Sequence, residues 1–273
     1  MIREITIGQY YPANSILHKL DPRVKVIGTL LYLIALFMVK NIWGYLVATV
    51  FVFGCIKASK VPIGFIVKGL KTIVMLLMIT VVFNLFLTKG GEVLLQIGAL
   101  QVTETGLRSA VYMTIRLIYL IMGSSLMTLT TTPNSLTDAM EDLLSPLRVV
   151  KFPVHEVSMM MSIALRFIPI LLEETDKIMK AQIARGAELE SGNMVQKAKA
   201  IVPIIVPLIV SAFRRASDLS MAMEARCYRG GDGRTKMKPL VYKGKDFAAF
   251  IVVILYVAAV LAANKIALQL WIF

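Results

Sequence analysis

Long apolar runs separated by short charged turns set the plan of this chain. Val24 to Val39, Ile42 to Ile56, about Thr72 to Leu87, about Thr105 to Thr130 and Phe247 to about Trp271 each read as a membrane-spanning helix. The connections are legible too. Asp21-Pro22 has the form of an N-cap followed by proline at the first helical position. Lys40-Asn41 makes a tight turn, and Lys57, Lys60, Lys68 and Lys71 form a basic loop before the third run. Thr88-Lys89-Gly90-Gly91 opens a looser segment, with a short hairpin expected through Leu100-Gln101-Val102.

Between the fourth and fifth runs the pattern becomes amphipathic. Thr132-Pro133 caps a helix carrying Leu136, Met140, Leu143, Leu144 and Leu147, ended near Arg148. Pro153 precedes a helix expected from about His155 to Leu189, roughly 50 Å long at 1.5 Å per residue. Its apolar seam is Leu165, Ile168, Leu172, Met179 and Ile183, with Glu173, Glu174, Asp176, Lys177 and Lys180 on the other face. After the turn Glu190-Ser191-Gly192-Asn193, a third helix is expected from about Val195 to Tyr228. Ile201, Ile205, Leu208, Ala212, Ala216, Leu219 and Met223 fall in one stripe. Its continuously apolar part, Ile201 to Phe213, is too short to cross a bilayer. It is therefore expected at the cytoplasmic interface or beneath the spans, bent by Pro203 and Pro207. The fold expected is an all-α integral membrane protein of about five transmembrane helices plus three cytoplasmic or interfacial amphipathic helices. Residues 1–130 hold the first four spans, 131–246 the amphipathic region and 247–273 the last span.

Composition agrees: of 273 residues 57% are hydrophobic, with a mean hydropathy of +0.73, where soluble domains are about half apolar. The net charge of +13 raises the question of nucleic acid. Residues 131–246, however, carry 17 Lys/Arg against 13 Asp/Glu, a balance of only +4, with no basic strip interleaved with aromatics. The excess follows the membrane segments. Arg3, Lys19, Arg23 and Lys25, the four lysines after the second run, and the 131–246 region fall on one side if there are five spans, with Lys40, Lys89 and Lys265 opposite. That side is the cytoplasm by the positive-inside rule, leaving the C-terminus outside. No cleavable signal peptide is expected, because no small-residue cleavage site follows the first apolar run. Cys55 sits in an apolar run as a small hydrophobe, and Cys227 lies too far from it in pattern for a metal knuckle.

The chemistry concentrates at the ends of the second and third amphipathic helices. Ala184-Arg185-Gly186 returns, altered, as Ala225-Arg226-Cys227. Two helices joined by a short turn run antiparallel or cross, so the two arginines sit up to about 40–45 Å apart. Two partners, or two halves of a dimer, can cover both. A guanidinium keeps its charge and makes several hydrogen bonds in a partly dry groove, while small neighbours admit a partner's backbone. The plainer alternative is a pair of C-terminal arginines favoured by the helix dipole.

These residues carry a family resemblance. With Ser15, Leu17-His18, Leu20-Asp21-Pro22-Arg23, Thr130-Thr131-Thr132-Pro133, Ala164-Leu165-Arg166-Phe167-Ile168-Pro169, the two triplets and Tyr228-Arg229-Gly230-Gly231, the chain resembles EcfT. That family is the transmembrane T component of energy-coupling factor importers for vitamins and metals. The resemblance covers essentially the whole chain. It implies five spans and three coupling helices, with Arg185 and Arg226 and their triplets contacting two ABC-type ATPases, EcfA and EcfA′ or a homodimer. It also implies a separate membrane S component that binds the substrate. The family triplet is usually Ala-Arg-Gly, so Cys227 departs from it. If that position needs positive φ, the second site is expected to be weaker.

No other constellation competes. His18 and His155 lack HExxH or cysteine partners and are assigned to capping or packing, so no metal or cofactor is expected. No GxxxxGK[ST] occurs, and Gly230-Gly231-Asp232-Gly233 is a turn after a helix; the chain is not expected to hydrolyse ATP itself. Arg116 is either a functional intramembrane charge or pairs with a helix carbonyl. Asn84 and Asn264 are interhelical hydrogen-bond formers or interface residues, and Arg234–Lys245 is a juxtamembrane anchor on anionic lipid. Met159-Met160-Met161, Met221 and Met223 either fill a core or offer a surface that repacks against several partners. The reading reached is a scaffold that passes work from two ATPases to a membrane partner. A stand-alone permease is its rival, and the absence of acids or a broken helix pair in the first three spans weighs against it.

Overall fold

The computed structural model describes residues 10–88, 90, 92–97, 100–187, 193–230, 237 and 239–270. The helices are α1 (Pro22–Met38), α2 (Ile42–Ser59), α3 (Ile63–Leu87), α4 (Glu104–Thr130), α5 (Pro133–Leu144), α6 (Val154–Ala184), α7 (Met194–Ala225) and α8 (Gly244–Leu270), with a 3₁₀ turn at Ser145–Val150. A hairpin of β1 (Val93–Ile97) and β2 (Leu100–Thr103) joins α3 to α4. The fold is all-α apart from this hairpin. The chain forms two compact units, one of Gly8–Ala139 with Leu240–Phe273 and one containing Met140–Pro239.

Within the first unit, hydrogen bonds between helices fix their directions. Asp21 N–H donates to Asp246 Oδ1 at 2.8 Å where α1 and α8 begin. Near their far ends Asn264 Nδ2 donates to Met38 O at 2.8 Å, so α1 and α8 run parallel. Lys25 Nζ reaches Thr130 O at 2.8 Å and Tyr32 OH reaches Tyr119 O at 2.8 Å, which makes α4 antiparallel to α1. Tyr45 OH donates to Tyr112 O at 3.1 Å and Thr49 pairs with the Tyr119 hydroxyl at 2.6 Å, so α2 runs with α4. The end of α3 meets the start of α4, where Thr103 Oγ1 donates to Thr88 O at 3.0 Å. The starts of α1, α3 and α8 therefore share one end of the unit with the finishes of α2 and α4.

Helices this apolar gain little from burying one another if lipid surrounds them, and close packing with interhelical hydrogen bonds does the work. Small residues accordingly sit at the contacts: Ala35 and Ala48 are buried, and a Cβ on Gly123 would lie 2.3 Å from the Tyr32 ring. Tyr32, Phe51 and Tyr256 stack through the centre, the last two with centroids 4.2 Å apart. Leu30, Ile34, Phe53 and Phe83 point outward and are exposed, as lipid-facing residues are.

Several boundaries differ from those expected. The helix α3 begins at Ile63, so Lys68 and Lys71 lie within it. Lysine is a good helix former, and a change of charge does not mark a break. The actual break is Lys60, in the left-handed region at φ 56°, followed by Pro62. The amphipathic helix after Pro133 stops at Leu144 because Pro146 tightens the next turn to 3₁₀. The helix α6 ends at Ala184 rather than Leu189. Asn84 donates to Thr80 O of its own turn at 2.8 Å, whereas Asn264 links two helices. Arg116 donates to Val39 O at 2.8 Å, pairing with the carbonyl that closes α1. His18 bonds Ser15 Oγ at 2.6 Å and Tyr11 O at 2.9 Å, a packing role. The turn at 190–192, the glycines 231 and 233, residues 234–236 of the basic anchor and Trp271 lie outside the described residues.

Candidate partner-docking site

The second unit contains α6 and α7, paired antiparallel. Glu174 Oε2 accepts from Arg215 Nη2 at 2.8 Å, and Ser211 donates to its other oxygen. Gln182 Nε2 donates to Pro203 O at 3.4 Å. That carbonyl faces Pro207 four residues on, which has no N–H to give it. The proline that weakens α7 thus exposes an acceptor that α6 satisfies.

The faces in contact follow the expected stripes only in part: Leu165, Leu172 and Met179 on α6 and Leu208, Ala212, Leu219 and Met223 on α7 are partly buried. Ile168 and Ile183 on α6, and Ile201 and Ile205 on α7, are exposed, whereas Ile204 is buried. Between 201 and 213 α7 is apolar all round, so its period cannot select a face. The polar pairs at Glu174 and Gln182 select it instead.

Both helices end in the same way. Arg185 is the C-cap of α6, Gly186 N–H donates to Ile183 O at 2.9 Å, and Ala187 N–H donates to Gln182 O at 3.0 Å. Arg226 is the C-cap of α7, Cys227 N–H donates to Glu224 O at 2.9 Å, and Tyr228 N–H donates to Met223 O at 3.0 Å. These are two Schellman caps, in which the residue after the cap adopts the left-handed conformation. Gly186 has φ 87° and Cys227 has φ 56°. A Cβ on Gly186 would meet nothing within 4 Å, so conformation and not space calls for glycine there. Cys227 bears a side chain where about 1–2 kcal/mol of strain attends any Cβ. The condition under which the second end is weaker than the first is met.

Ala184, Arg185, Gly186, Ala225, Arg226 and Cys227 are all exposed. The register set by Glu174 opposite Ser211 and Gln182 opposite Pro203 puts Arg226 about 26 residues along the axis from Arg185, or about 39 Å. The structure does not bring the two triplets together; it holds them at opposite ends of the pair. Beside the Arg226 end lies a mainly apolar groove of about 510 Å³, lined by Ile163, Phe167 and Leu171 from α6, Leu219 and Met223 from α7 and Tyr228 just beyond it, with Arg215 and Glu224 as its charged members. Sequence reasoning missed it, since the apolar period marks a stripe and not the gap between two stripes.

Near the start of α6, Glu141 accepts from Ser158 at 3.0 Å and pairs with His155 Nδ1 at 3.1 Å, tying α5 to α6. His155 is therefore structural. Met160, Met161 and Met221 are exposed and fill no core of this chain.

Among the described residues, five helices are long and apolar enough to cross a membrane: α2, α4, α6, the 199–225 part of α7, and α8. The number is the one expected, but α6 and α7 stand in it where α1 and α3 were expected. At 17 residues α1 falls just short, and the apolar part of α3 is only Ile73–Leu87. This is the architecture of a helical membrane protein. The sequence matches the family described as CbiQ, cobalt transport protein, over residues 13–237. It is 54% identical to the energy-coupling factor transporter transmembrane protein EcfT of Clostridium kluyveri over 272 residues, 99% of each chain. The EcfT of Thermosediminibacter oceani is 52% identical over 92% of this chain and 94% of its own. That of Bacillus subtilis is 47% identical over 94% and 97%. The chain belongs to the CbiQ/EcfT family and is a membrane subunit of an energy-coupling factor transporter.

Proposed function

We propose that this subunit is the scaffold through which two cytoplasmic ABC-type ATPases drive a separate substrate-binding S component, for uptake of a vitamin or a metal. One ATPase docks on Ala184-Arg185-Gly186 and the other on Ala225-Arg226-Cys227. ATP hydrolysis belongs to those partners and not to this chain. The observation that carries the reading is the repetition: two exposed arginines on caps with the same hydrogen-bond pattern, about 39 Å apart by helix rise.

In this reading α1, α2, α3, α4 and α8 cross the membrane, with residues 1–130 and 247–273 forming the membrane part and 131–246 the coupling region. The alternating helix directions support it. Charge supports it as well: Arg23, Lys25, Lys57, Lys60 and Lys245 lie at one end of the bundle, and Lys40 and Lys265 at the other. The first end is cytoplasmic by the positive-inside rule, which puts the N-terminus and coupling region inside and the C-terminus outside. Long as they are, α6 and α7 carry Glu173, Asp176, Lys177, Arg214 and Asp218, charges that are expensive in hydrocarbon. The exposed apolar flank of α7, including Val202, Val206, Val210 and Phe213, supports contact with a membrane partner.

Co-purification tests the docking assignment. Arg185→Glu is expected to release one ATPase and Arg226→Glu the other, while the chain stays in the membrane. Full retention of both ATPases by both variants refutes it. Substrate uptake by the chain reconstituted alone would favour a permease instead.

A further inference from the structure

A cavity of about 690 Å³ opens among α1, α2, α4 and α8, and the proposed function makes no use of it. Its lining is mainly apolar, with Val24, Gly28, Phe51, Gly54, Ala249 and Val252 representative. Two charged residues line it, Lys25 and Lys245, and both belong to the first turn of their helices. Because α1 and α8 run parallel, both lysines sit at the same end. The Lys25 ammonium donates to Thr130 O at 2.8 Å and His18 O at 3.3 Å, which leaves one of its three N–H groups over. Lys245 is exposed.

Along α1 the cavity runs from Val24 to Tyr32, about 12 Å by helix rise. That is close to one leaflet, half of a hydrocarbon core about 30 Å thick. An apolar slot one leaflet deep, with cations only at the headgroup end, has the dimensions and charge of a phospholipid site. Water-filled transport pathways, by contrast, are lined by polar and ionisable groups. The glycines divide by role. Gly123 is packed on the Tyr32 ring and Gly28 lies 3.4 Å, counted from an added Cβ, from Val253, but a Cβ on Gly54 meets nothing within 4 Å. Gly54 therefore faces the open space and not a neighbouring helix.

We propose that this cavity holds an acyl chain of an anionic phospholipid of the cytoplasmic leaflet, with the phosphate seated on Lys245 and Lys25. The inference rests on the reading that α1, α2, α4 and α8 cross the membrane with the starts of α1 and α8 inside. The exposed Lys245 near an anionic headgroup favours it by about fivefold, and Lys25, whose charge is partly offset by Asp21 and Asp246, adds less.

The test is native mass spectrometry of the full chain in detergent, with dioleoyl-phosphatidylglycerol or dioleoyl-phosphatidylcholine added. One phosphatidylglycerol is expected to be retained about tenfold or more over phosphatidylcholine. Lys245→Ala lowers that retention about fivefold and Lys245→Arg restores it. Gly54→Leu, whose Cβ enters open space and which improves helix propensity, abolishes retention of both lipids. On the unmodified protein, dihexanoyl-phosphatidylglycerol, with the same headgroup and short tails, binds at least tenfold more weakly. Equal retention of the two headgroups, equal binding of short and long tails, or a dimer peak in place of the lipid overturns the proposal. Alkaline carbonate washing of membranes separates the two layers of the argument. A chain that resists extraction but holds no lipid loses only this site, whereas extraction of the chain removes the membrane reading beneath it.

Discussion

Replacing Cys227 with glycine, and Gly186 with alanine, exchanges the conformational character of the two helix ends without touching either arginine. At φ 56° the Cys227 backbone is in the left-handed region, where a Cβ costs about 1–2 kcal/mol. Glycine removes that strain but frees more conformations once the turn opens, which offsets about 0.4–1 kcal/mol. The net gain is about 1 kcal/mol, or about fivefold in the opening equilibrium of the last turn. Gly186→Ala carries the opposite sign and a similar size, because an added Cβ there meets no atom and the whole effect is conformational. Amide hydrogen exchange reads this directly, since the N–H groups of Cys227 and Tyr228 close one cap and those of Gly186 and Ala187 the other. Exchange of the Tyr228 amide is expected to slow about fivefold in Cys227→Gly, and that of Ala187 to quicken about fivefold in Gly186→Ala. ATPase retention is expected to shift the same way at each end, because an unwound cap no longer presents its arginine. Unchanged exchange at Tyr228, or faster exchange, refutes the claim that the cap is strained. Changed exchange with unchanged ATPase retention refutes the claim that the cap presents the arginine.

Three further outcomes follow from other contacts. Arg116→Met leaves Val39 O without its charged donor and is expected to lower stability in detergent by about 1.5–3 kcal/mol, the usual value of a hydrogen bond to a charged group; an unchanged melting temperature contradicts this. Burial pushes the Asp21 carboxyl up, but hydrogen bonds and charge from Arg23, with Lys25, outweigh it and hold the group below its ordinary value of 3.8. A depressed folded value stabilises above the unfolded one and is lost as pH falls through the folded one. The stability advantage of the parent over Asp21→Asn should therefore be full above about pH 4 and shrink below it, and a pH-independent advantage would be inconsistent. Replacing Met159, Met160 and Met161 with valine is expected to impair the association of some S components more than others; a uniform loss counts against a repacking surface.

The linear pattern already determined that the chain is a helical membrane protein, roughly where its helices lie, and that a repeated Ala-Arg-small triplet falls at two helix ends. Those features depend on runs of apolar residues and on local caps, and both are written in neighbouring positions. The N-cap at Asp21-Pro22 was legible for the same reason, because an N-cap is set locally; for Arg116 the sequence left two readings open, and the contact with Val39 O chose between them.

Three-dimensional packing decided the rest. Which face of α7 meets α6 depends on Gln182 reaching a carbonyl that Pro207 cannot serve, a contact 21 residues apart in sequence. Whether Cys227 stands at positive φ depends on the cap closing, and the triplet alone states only that it would matter. The parallel course of α1 and α8 rests on Asp21 and Asp246, 225 residues apart. The slot they line with α2 and α4 exists only because those helices pack where they do. A hydrophobic period specifies that a face is apolar; it carries no information about what that face will touch.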